Sequence, residues 1–175
     1  IMIVYLIKKS YLETYEDRIN ELIRIYFKKY VKENQIKDFQ ENEFINLRSI
    51  SNTELSTIYL YFHIESEKLF AVKYFKDCTS KEREINNYKR ISFPFIPKYY
   101  GKIKNNNDEA LVIEYINGRT LHSLNKDELD FKQKIKIIIE LLYTFKYLHS
   151  NYFIYRDLKP NNLILDNNNR IVLID

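Results

Sequence analysis

Glycine is scarce in this chain: two residues in 175, Gly101 and Gly118. That excludes a glycine-rich phosphate loop of either the P-loop or the dinucleotide type, because such loops use glycine to bring backbone N–H groups close to phosphate. Any nucleotide site here must hold its phosphates by other means. Cysteine is scarcer still. Cys78 stands alone, which rules out an internal disulfide framework and a cysteine-rich zinc site and fits a reducing, cytoplasmic compartment. Tryptophan is absent, and proline occurs three times. The longest early apolar run, Ile1 to Ile7, falls far short of the ~20 residues that span a bilayer. It also lacks the basic start and small-residue cleavage site of a signal peptide. The chain opens with Ile1 ahead of Met2, which reads as a fragment rather than a native start. An excess of one charge is missing too. Lys plus Arg is 28 and Asp plus Glu is 24, net +4. With no basic block or tail, nothing points to nucleic acid.

What is present is a core. The chain is 45% hydrophobic and carries 16 Tyr and 11 Phe, enough for one domain or one and a half. Residues 11–32 read as an amphipathic helix, with Tyr15, Ile19, Leu22, Ile23, Tyr26, Phe27 and Tyr30 at helical spacing. Such a helix is expected to pack on another domain or a partner. Residues 33–43 read as a polar connector. Phe44–Ile50, Thr57–Ile64 and Leu69–Phe75 are rich in β-branched and aromatic residues and read as strands. A helix is expected over residues 80–91, with Glu84, Tyr88 and Ile91 on one face, broken by Pro94 and Pro97. Tyr99–Ile103 and Leu111–Ile116 read as two more strands. After Gly118 the period becomes helical. Phe131–Ser150 is the strongest helix, with Ile135, Ile138, Ile139, Leu142, Phe145 and Leu148 as its expected buried side. Leu163–Leu165 and Ile171–Ile174 close the chain as a hairpin around an Asp-Asn-Asn-Asn turn.

Chemistry concentrates in the loop before that hairpin, Tyr155-Arg156-Asp157-Leu158-Lys159-Pro160-Asn161-Asn162. An Asp, a Lys two residues later and an Asn five residues later could supply a carboxylate base, a phosphate-binding cation and a metal-orienting amide together. Asp175 follows at the end of an apolar strand, where an acidic residue can hold a divalent cation. Taken singly, each has a plainer reading. A lone strand lysine such as Lys73 is usually a solvated edge residue. Glu84 alone is a helix-surface charge, with Glu82 as a rival. Asn162 alone forms an Asx-turn. His63, His122 and His149 are scattered and give no nucleophilic triad.

In order and spacing, the loop resembles the protein kinase catalytic loop, [HY]-R-D-L-K-P-x-N, leading into the strand before the metal-binding Asp-Phe-Gly. Phe70-Ala71-Val72-Lys73 resembles the strand carrying the ATP-contacting lysine, and Glu84 resembles its helix partner. Leu111 to Gly118 resembles the gatekeeper strand and hinge, and Tyr147-Leu148-His149-Ser150 the end of the helix before the catalytic loop. Asp157-Leu158-Lys159-Pro160 is similar to the Ser/Thr-type pattern rather than the tyrosine-kinase one. The resemblance covers about residues 44–175.

It implies an α+β, protein-kinase-like fold: a five-stranded antiparallel N-lobe with one helix, plus an incomplete helical C-lobe. The divisions would be an N-terminal helical extension (1–43), an N-lobe (44–117) and a partial C-lobe (118–175). The implied activity is transfer of the γ-phosphoryl of Mg·ATP to Ser/Thr hydroxyls of a protein substrate. By position, Asp157 accepts or orients the hydroxyl proton and Lys159 neutralises the transferring phosphate. Asn162 and Asp175 hold Mg²⁺. Lys73 contacts the α/β-phosphates and pairs with Glu84. The backbones of Glu114 and Ile116 bond adenine, and Ile58, Ala71 and Ile164 sandwich its ring. Tyr88, Tyr99 and Tyr155 resemble members of the spine that links the lobes.

Two departures from the family stand out. Ser51, Thr53 and Ser56 occupy the places of its glycines, and Glu54 adds negative charge beside the phosphates, so nucleotide affinity is expected to be weak or absent. The chain also stops at Asp175, before the Phe-Gly, the activation segment and the remaining helices, and is therefore expected to be inactive as it stands. The alternative is a pseudokinase-type, non-catalytic binding or regulatory module.

Overall fold

The structure, a computed structural model, describes residues 37–105, 108–125 and 127–174. The helix expected over residues 11–32 lies outside the described residues. The chain enters a six-stranded sheet as β1 (Lys37–Phe39). A 3₁₀ turn, Glu41–Glu43, leads into β2 (Phe44–Asn52), β3 (Ser56–His63) and β4 (Lys68–Phe75). Helix α1 (Cys78–Arg90) follows, then the hairpin of β5 (Tyr99–Asn105) and β6 (Asp108–Glu114). The strand order is β1-β5-β6-β4-β3-β2, and only β1 runs parallel to its neighbour.

Strands β4 and β6 sit centrally and are covered on both faces, so Val72, Leu111 and Val112 are fully buried. That is why Phe70–Val72 and Ala110–Ile113 are unbroken apolar runs rather than alternating ones. One face packs Ala71, Phe75, Ile85, Tyr99, Leu111 and Ile113 together, with Ile85 coming from α1. The other face is an aromatic cluster of Phe39, Phe44, Tyr61 and Phe70, with ring centroids 5.3–6.2 Å apart. Each such ring contributes about 1.5–3 kcal/mol by burial.

The connector reading of residues 33–43 needs correction within its described part. Lys37–Phe39 is a strand, paired with Gly101, Lys102 and Ile103 of β5. Its drive is tertiary: Phe39 enters the aromatic cluster, and Lys104 pairs with Asp38 at 2.8 Å. Gly101 makes the pairing sterically feasible. It takes φ +145, and a Cβ there would stand 1.8 Å from the Lys37 carbonyl oxygen.

Beyond β6 a short second sheet forms from β7 (Gly118–Thr120), β8 (Leu163–Asp166) and β9 (Ile171–Leu173), in the order β7-β8-β9. Helix α2 (Phe131–Ser150) packs on it through Ile137 and Leu148 against Leu163, Ile171 and Leu173. Its start is a capping box: the Asp130 carboxylate accepts from Gln133 N at 2.7 Å, and the Gln133 side chain accepts from Asp130 N at 2.9 Å. The bounds match the expectation, and Phe145 and Leu148 of the expected side pack in the core, but three others of that side do not. Ile135, Ile138 and Leu142 are exposed, and the buried line is Ile137, Glu140, Thr144 and Leu148. The helix is apolar on both sides, so spacing alone does not choose the face. Tertiary partners choose it: the Glu140 carboxylate accepts from Ile171 N at 2.9 Å, and the Thr144 hydroxyl donates to Glu140 O at 2.8 Å.

Burial raises the Glu140 carboxyl above its ordinary value of 4.5, with the Ile171 N–H and Lys136 opposing. The folded protein therefore binds this proton more tightly than the unfolded chain. Stability from this group falls as pH rises from the unfolded value through the raised folded one. Glu140→Gln keeps an acceptor for Ile171 N–H and removes the buried charge. Urea melts should find it at least as stable as wild type at pH 8 and less dependent on pH. Glu140→Ala strands that N–H and costs about 1–3 kcal/mol.

Candidate active site

Lys73 lies on β4 in the same alternating set as Ala71 and Phe75, facing α1. It is 5% exposed, so its charge needs a partner. Glu84 of α1 supplies one: Nζ donates to Oε1 at 2.7 Å. The ammonium also stands 5.5 Å from the Phe75 ring centroid. Glu82 is exposed. The helical face that carries Glu84, Tyr88 and Ile91 turns inward, and these three line one side of a cavity of about 160 Å³. Its other side includes Leu148, Tyr155, Leu173 and Ile174. Tyr99 lies in the core cluster against which Tyr88 packs.

The link between the sheets begins at Glu114. Its N–H donates to Lys98 O at 2.8 Å, so any adenine contact by its backbone would use the carbonyl. Its carboxylate accepts from Lys98 N at 3.2 Å and lies 3.6 Å from Arg170. Ile116 is buried. Gly118 then packs on β8 so closely that a Cβ would stand 2.3 Å from Leu165 O. Both glycines of the chain are thus spent on backbone-to-backbone packing. Ile58 packs on the cluster that contains Ala71, whereas Ile164 lies on β8, paired with Thr120 and Val172.

The loop between α2 and β8 gathers three of the expected side chains. Asp157 Oδ2 accepts from Lys159 Nζ at 2.6 Å and from Asn162 Nδ2 at 3.0 Å. Asn162 Nδ2 also donates to Asp157 O at 3.0 Å. Lys159 first and Asn162 next hold the Asp157 carboxyl below its ordinary value of 3.8. Asp157 is thus ionised at neutral pH, and being exposed it is open to a substrate. Asn162 is buried, and its carbonyl accepts from Ile174 N at 2.9 Å. The Tyr155 hydroxyl donates to Ile174 O at 2.8 Å. The residue before Asp175 is therefore pinned on both backbone sides. Asp175 itself lies outside the described residues. Among the described residues no cluster of three or more His, Cys, Asp or Glu could hold a metal. With Nδ2 spent on Asp157, Asn162 has Oδ1 left to offer, a hard oxygen donor of the kind Mg²⁺ prefers.

In place of a phosphate loop stands the 52–56 turn. Thr53 N donates to Ser56 O at 2.9 Å, and Ser56 N donates to Thr53 Oγ1 at 3.1 Å. Both amides are consumed within the turn. Sequence reasoning also missed Arg170. Its guanidinium donates to Asp166 Oδ2 at 2.8 Å and to Pro94 O at 3.4 Å. With the Glu114 contact, it ties the inter-sheet link to the β8–β9 hairpin. The readable signal was the Asp-x-x-x-Arg spacing across that turn.

A family model, Protein kinase domain, matches residues 44–175. The chain belongs to the protein kinase family. Mitogen-activated protein kinase kinase kinase 3 of Arabidopsis thaliana is 32% identical over 130 residues, covering 67% of this chain and 21% of that protein. Serine/threonine-protein kinase KIPK1 of the same plant is 32% identical over 143 residues, covering 74% and 15%. cAMP-dependent protein kinase type 3 of Saccharomyces cerevisiae is 30% identical over 144 residues, covering 77% and 36%. Within the matched residues lie five strands of the six-stranded sheet, α1, α2 and the small sheet. The five antiparallel strands expected from sequence are β2 to β6, and β1 adds a sixth, parallel strand to their sheet. No helix among the described residues is long and apolar enough to cross a membrane.

Proposed function

We propose that this kinase domain serves a protein Ser/Thr kinase that moves the γ-phosphoryl of Mg·ATP to a protein hydroxyl. The observation that carries the reading is the Asp157–Lys159–Asn162 cluster, in a fold that also buries Lys73 and pairs it with Glu84. Asp157 receives the substrate hydroxyl and orients its oxygen for in-line attack. Lys159, already 2.6 Å from Asp157, offsets charge on the transferring group. The hydroxyl oxygen forms the new P–O bond as its proton passes to the Asp157 carboxylate, the bond to the β-phosphate oxygen breaks, and ADP leaves. Lys73, oriented by Glu84, takes the α/β-phosphates. Ile58, Ala71 and Ile164 flank the adenine, and the backbones of Glu114 and Ile116 bond its edge. Asn162 and Asp175 would hold Mg²⁺, which neutralises phosphate charge when bound. Support for Ser/Thr specificity comes from Lys159 within Asp-Leu-Lys-Pro and from the Ser/Thr kinases named among the relatives. The lone cysteine supports a cytoplasmic setting.

Phosphoamino-acid analysis tests the reading. The full protein, incubated with labelled ATP, Mg²⁺ and a protein mixture, should yield phosphoserine and phosphothreonine. Label confined to tyrosine or to non-protein acceptors would contradict it.

One observation favours a second reading, a non-catalytic binding module: the turn above Lys73 spends the Thr53 and Ser56 amides on itself. That module would bind no Mg·ATP.

A further inference from the structure

The glycine-free turn is tied to the strand that carries Lys73. Lys76 stands three residues beyond Lys73, just past the end of β4. Its backbone N–H donates to Leu55 O at 2.9 Å. Its ammonium donates to Asn52 Oδ1 at 2.8 Å and to Thr53 O at 2.5 Å. Asn52 Oδ1 also accepts from the Thr57 hydroxyl at 3.1 Å. One residue therefore grips three successive parts of the turn: Asn52 by its side chain, and Thr53 and Leu55 by their carbonyls. Inside the turn, Thr53 Oγ1 donates to Ser56 O at 3.1 Å, beside the two amide bonds already described.

A glycine-rich loop holds phosphate by offering N–H groups and by closing over them. This turn is restricted in both respects. Its Thr53 and Ser56 amides are occupied, and its Thr53 and Leu55 carbonyls are fastened to Lys76. It is also poor in conformational freedom, having no glycine to take positive φ. It does share a rigid unit with Lys73, because Ser56 pairs with Phe75 and Ile58 pairs with Lys73 across β3 and β4. A fixed rim beside a phosphate-binding lysine contributes by preorganisation: little order has to be imposed on it when ligand arrives. Differences of that kind appear mainly in dissociation rates.

We propose that Lys76 is a positioning residue that straps the 52–56 turn into a fixed rim beside Lys73, and that this rim sets how long Mg·ATP stays bound. The second half rests on reading the cleft as a Mg·ATP site. Lys76 does not touch the nucleotide. It acts through the turn, as a replacement for the closure that glycine gives elsewhere in the family.

The test uses the full chain with Lys76→Met and Lys76→Arg. Lys76 is exposed, so neither change disturbs the core. Two quantities are read: hydrogen exchange at the Thr53 and Ser56 amides, and stopped-flow dissociation of a fluorescent ATP analogue with Mg²⁺. Lys76→Met should speed exchange at both amides about tenfold, as expected for losing hydrogen bonds from a charged donor. It should speed dissociation by a similar factor, and Lys76→Arg should restore both. Unchanged exchange in Lys76→Met overturns the strap. Faster exchange with unchanged or slower dissociation overturns its role in binding. If wild type binds no analogue, the Mg·ATP reading falls and takes the second half with it. The exchange data separate that failure from failure of the strap itself.

Discussion

Asp157→Asn is expected to lower phosphotransfer by the full protein about 10²–10⁴-fold, the usual contribution of a positioned base. The substitution is nearly isosteric, so it isolates the charge. Asp157 is the carboxylate on which Lys159 and Asn162 converge, and that pair keeps it ionised. Asparagine keeps an acceptor for Asn162 but loses the negative charge that orients a hydroxyl and anchors the Lys159 ammonium. Nucleotide binding should survive, because Lys73 and the flanking apolar residues belong to other elements. Initial rates at saturating Mg·ATP, together with the Kd for nucleotide, distinguish the two effects. Because the Asp157 carboxyl lies below its ordinary value of 3.8, it stays charged down to acid pH. Any loss of activity between pH 7 and 5 therefore belongs to another group. Turnover near the wild-type rate in Asp157→Asn would remove this residue from the mechanism.

Gly101→Ala is expected to destabilise the fold by about 3 kcal/mol, combining backbone strain with lost aromatic burial. The new Cβ would meet the Lys37 carbonyl oxygen at 1.8 Å, at a φ of +145 that L-residues rarely adopt. Backbone cannot yield that far while the β1–β5 register is kept. The expected relief is detachment of β1, which withdraws Phe39 from contact with Phe44 and Phe70. Denaturant unfolding gives the loss. Phe39→Ala should reproduce part of it, since it removes the ring but leaves the backbone pairing. The double mutant should then fall short of the sum, because both changes act through the same strand. A Gly101→Ala chain as stable as wild type would show that β1 contributes nothing to the sheet.

The parts of the fold readable from sequence were those whose signal is local. Strands β3 and β4 carry dense β-branched and aromatic runs, and α2 carries a long helical period closed by an Asp-x-x-Gln box. Glu84 was readable as facing inward because Tyr88 and Ile91 repeat on its side of α1. Strand β1 was not readable. Three residues are too few to show a period, and what holds them is Phe39 in a distant cluster and a glycine sixty-odd residues away. Part of the buried face of α2 was misassigned for a related reason, since Ile135, Ile138 and Leu142 are exposed while Phe145 and Leu148 pack in the core. Isoleucines occur on both sides, and the side that wins contains Glu140 and Thr144, polar residues made tolerable by partners on β9 and on the helix backbone. In the candidate site, residue types and order were legible, and so was the Lys73–Glu84 pair, but the bonds that knit the Asp157 loop together were not. The lack of glycine at 52–56 could be read directly. That Lys76 fastens this turn, and that Arg170 joins Glu114 to Asp166, depends on side chains meeting across the fold.

Calorimetric titration of ATP into the full chain, with and without Mg²⁺ and alongside Lys73→Met, bears most directly on the central claim of a kinase nucleotide cleft. Lys73 is buried, and its ammonium is held by Glu84 at 2.7 Å. Its loss should therefore weaken binding by about tenfold or more, as for a charge-assisted phosphate contact. Wild type should bind ATP in a Mg²⁺-dependent manner, and Lys73→Met should largely remove that binding. No binding to wild type, or binding indifferent to both Mg²⁺ and Lys73→Met, would contradict that claim.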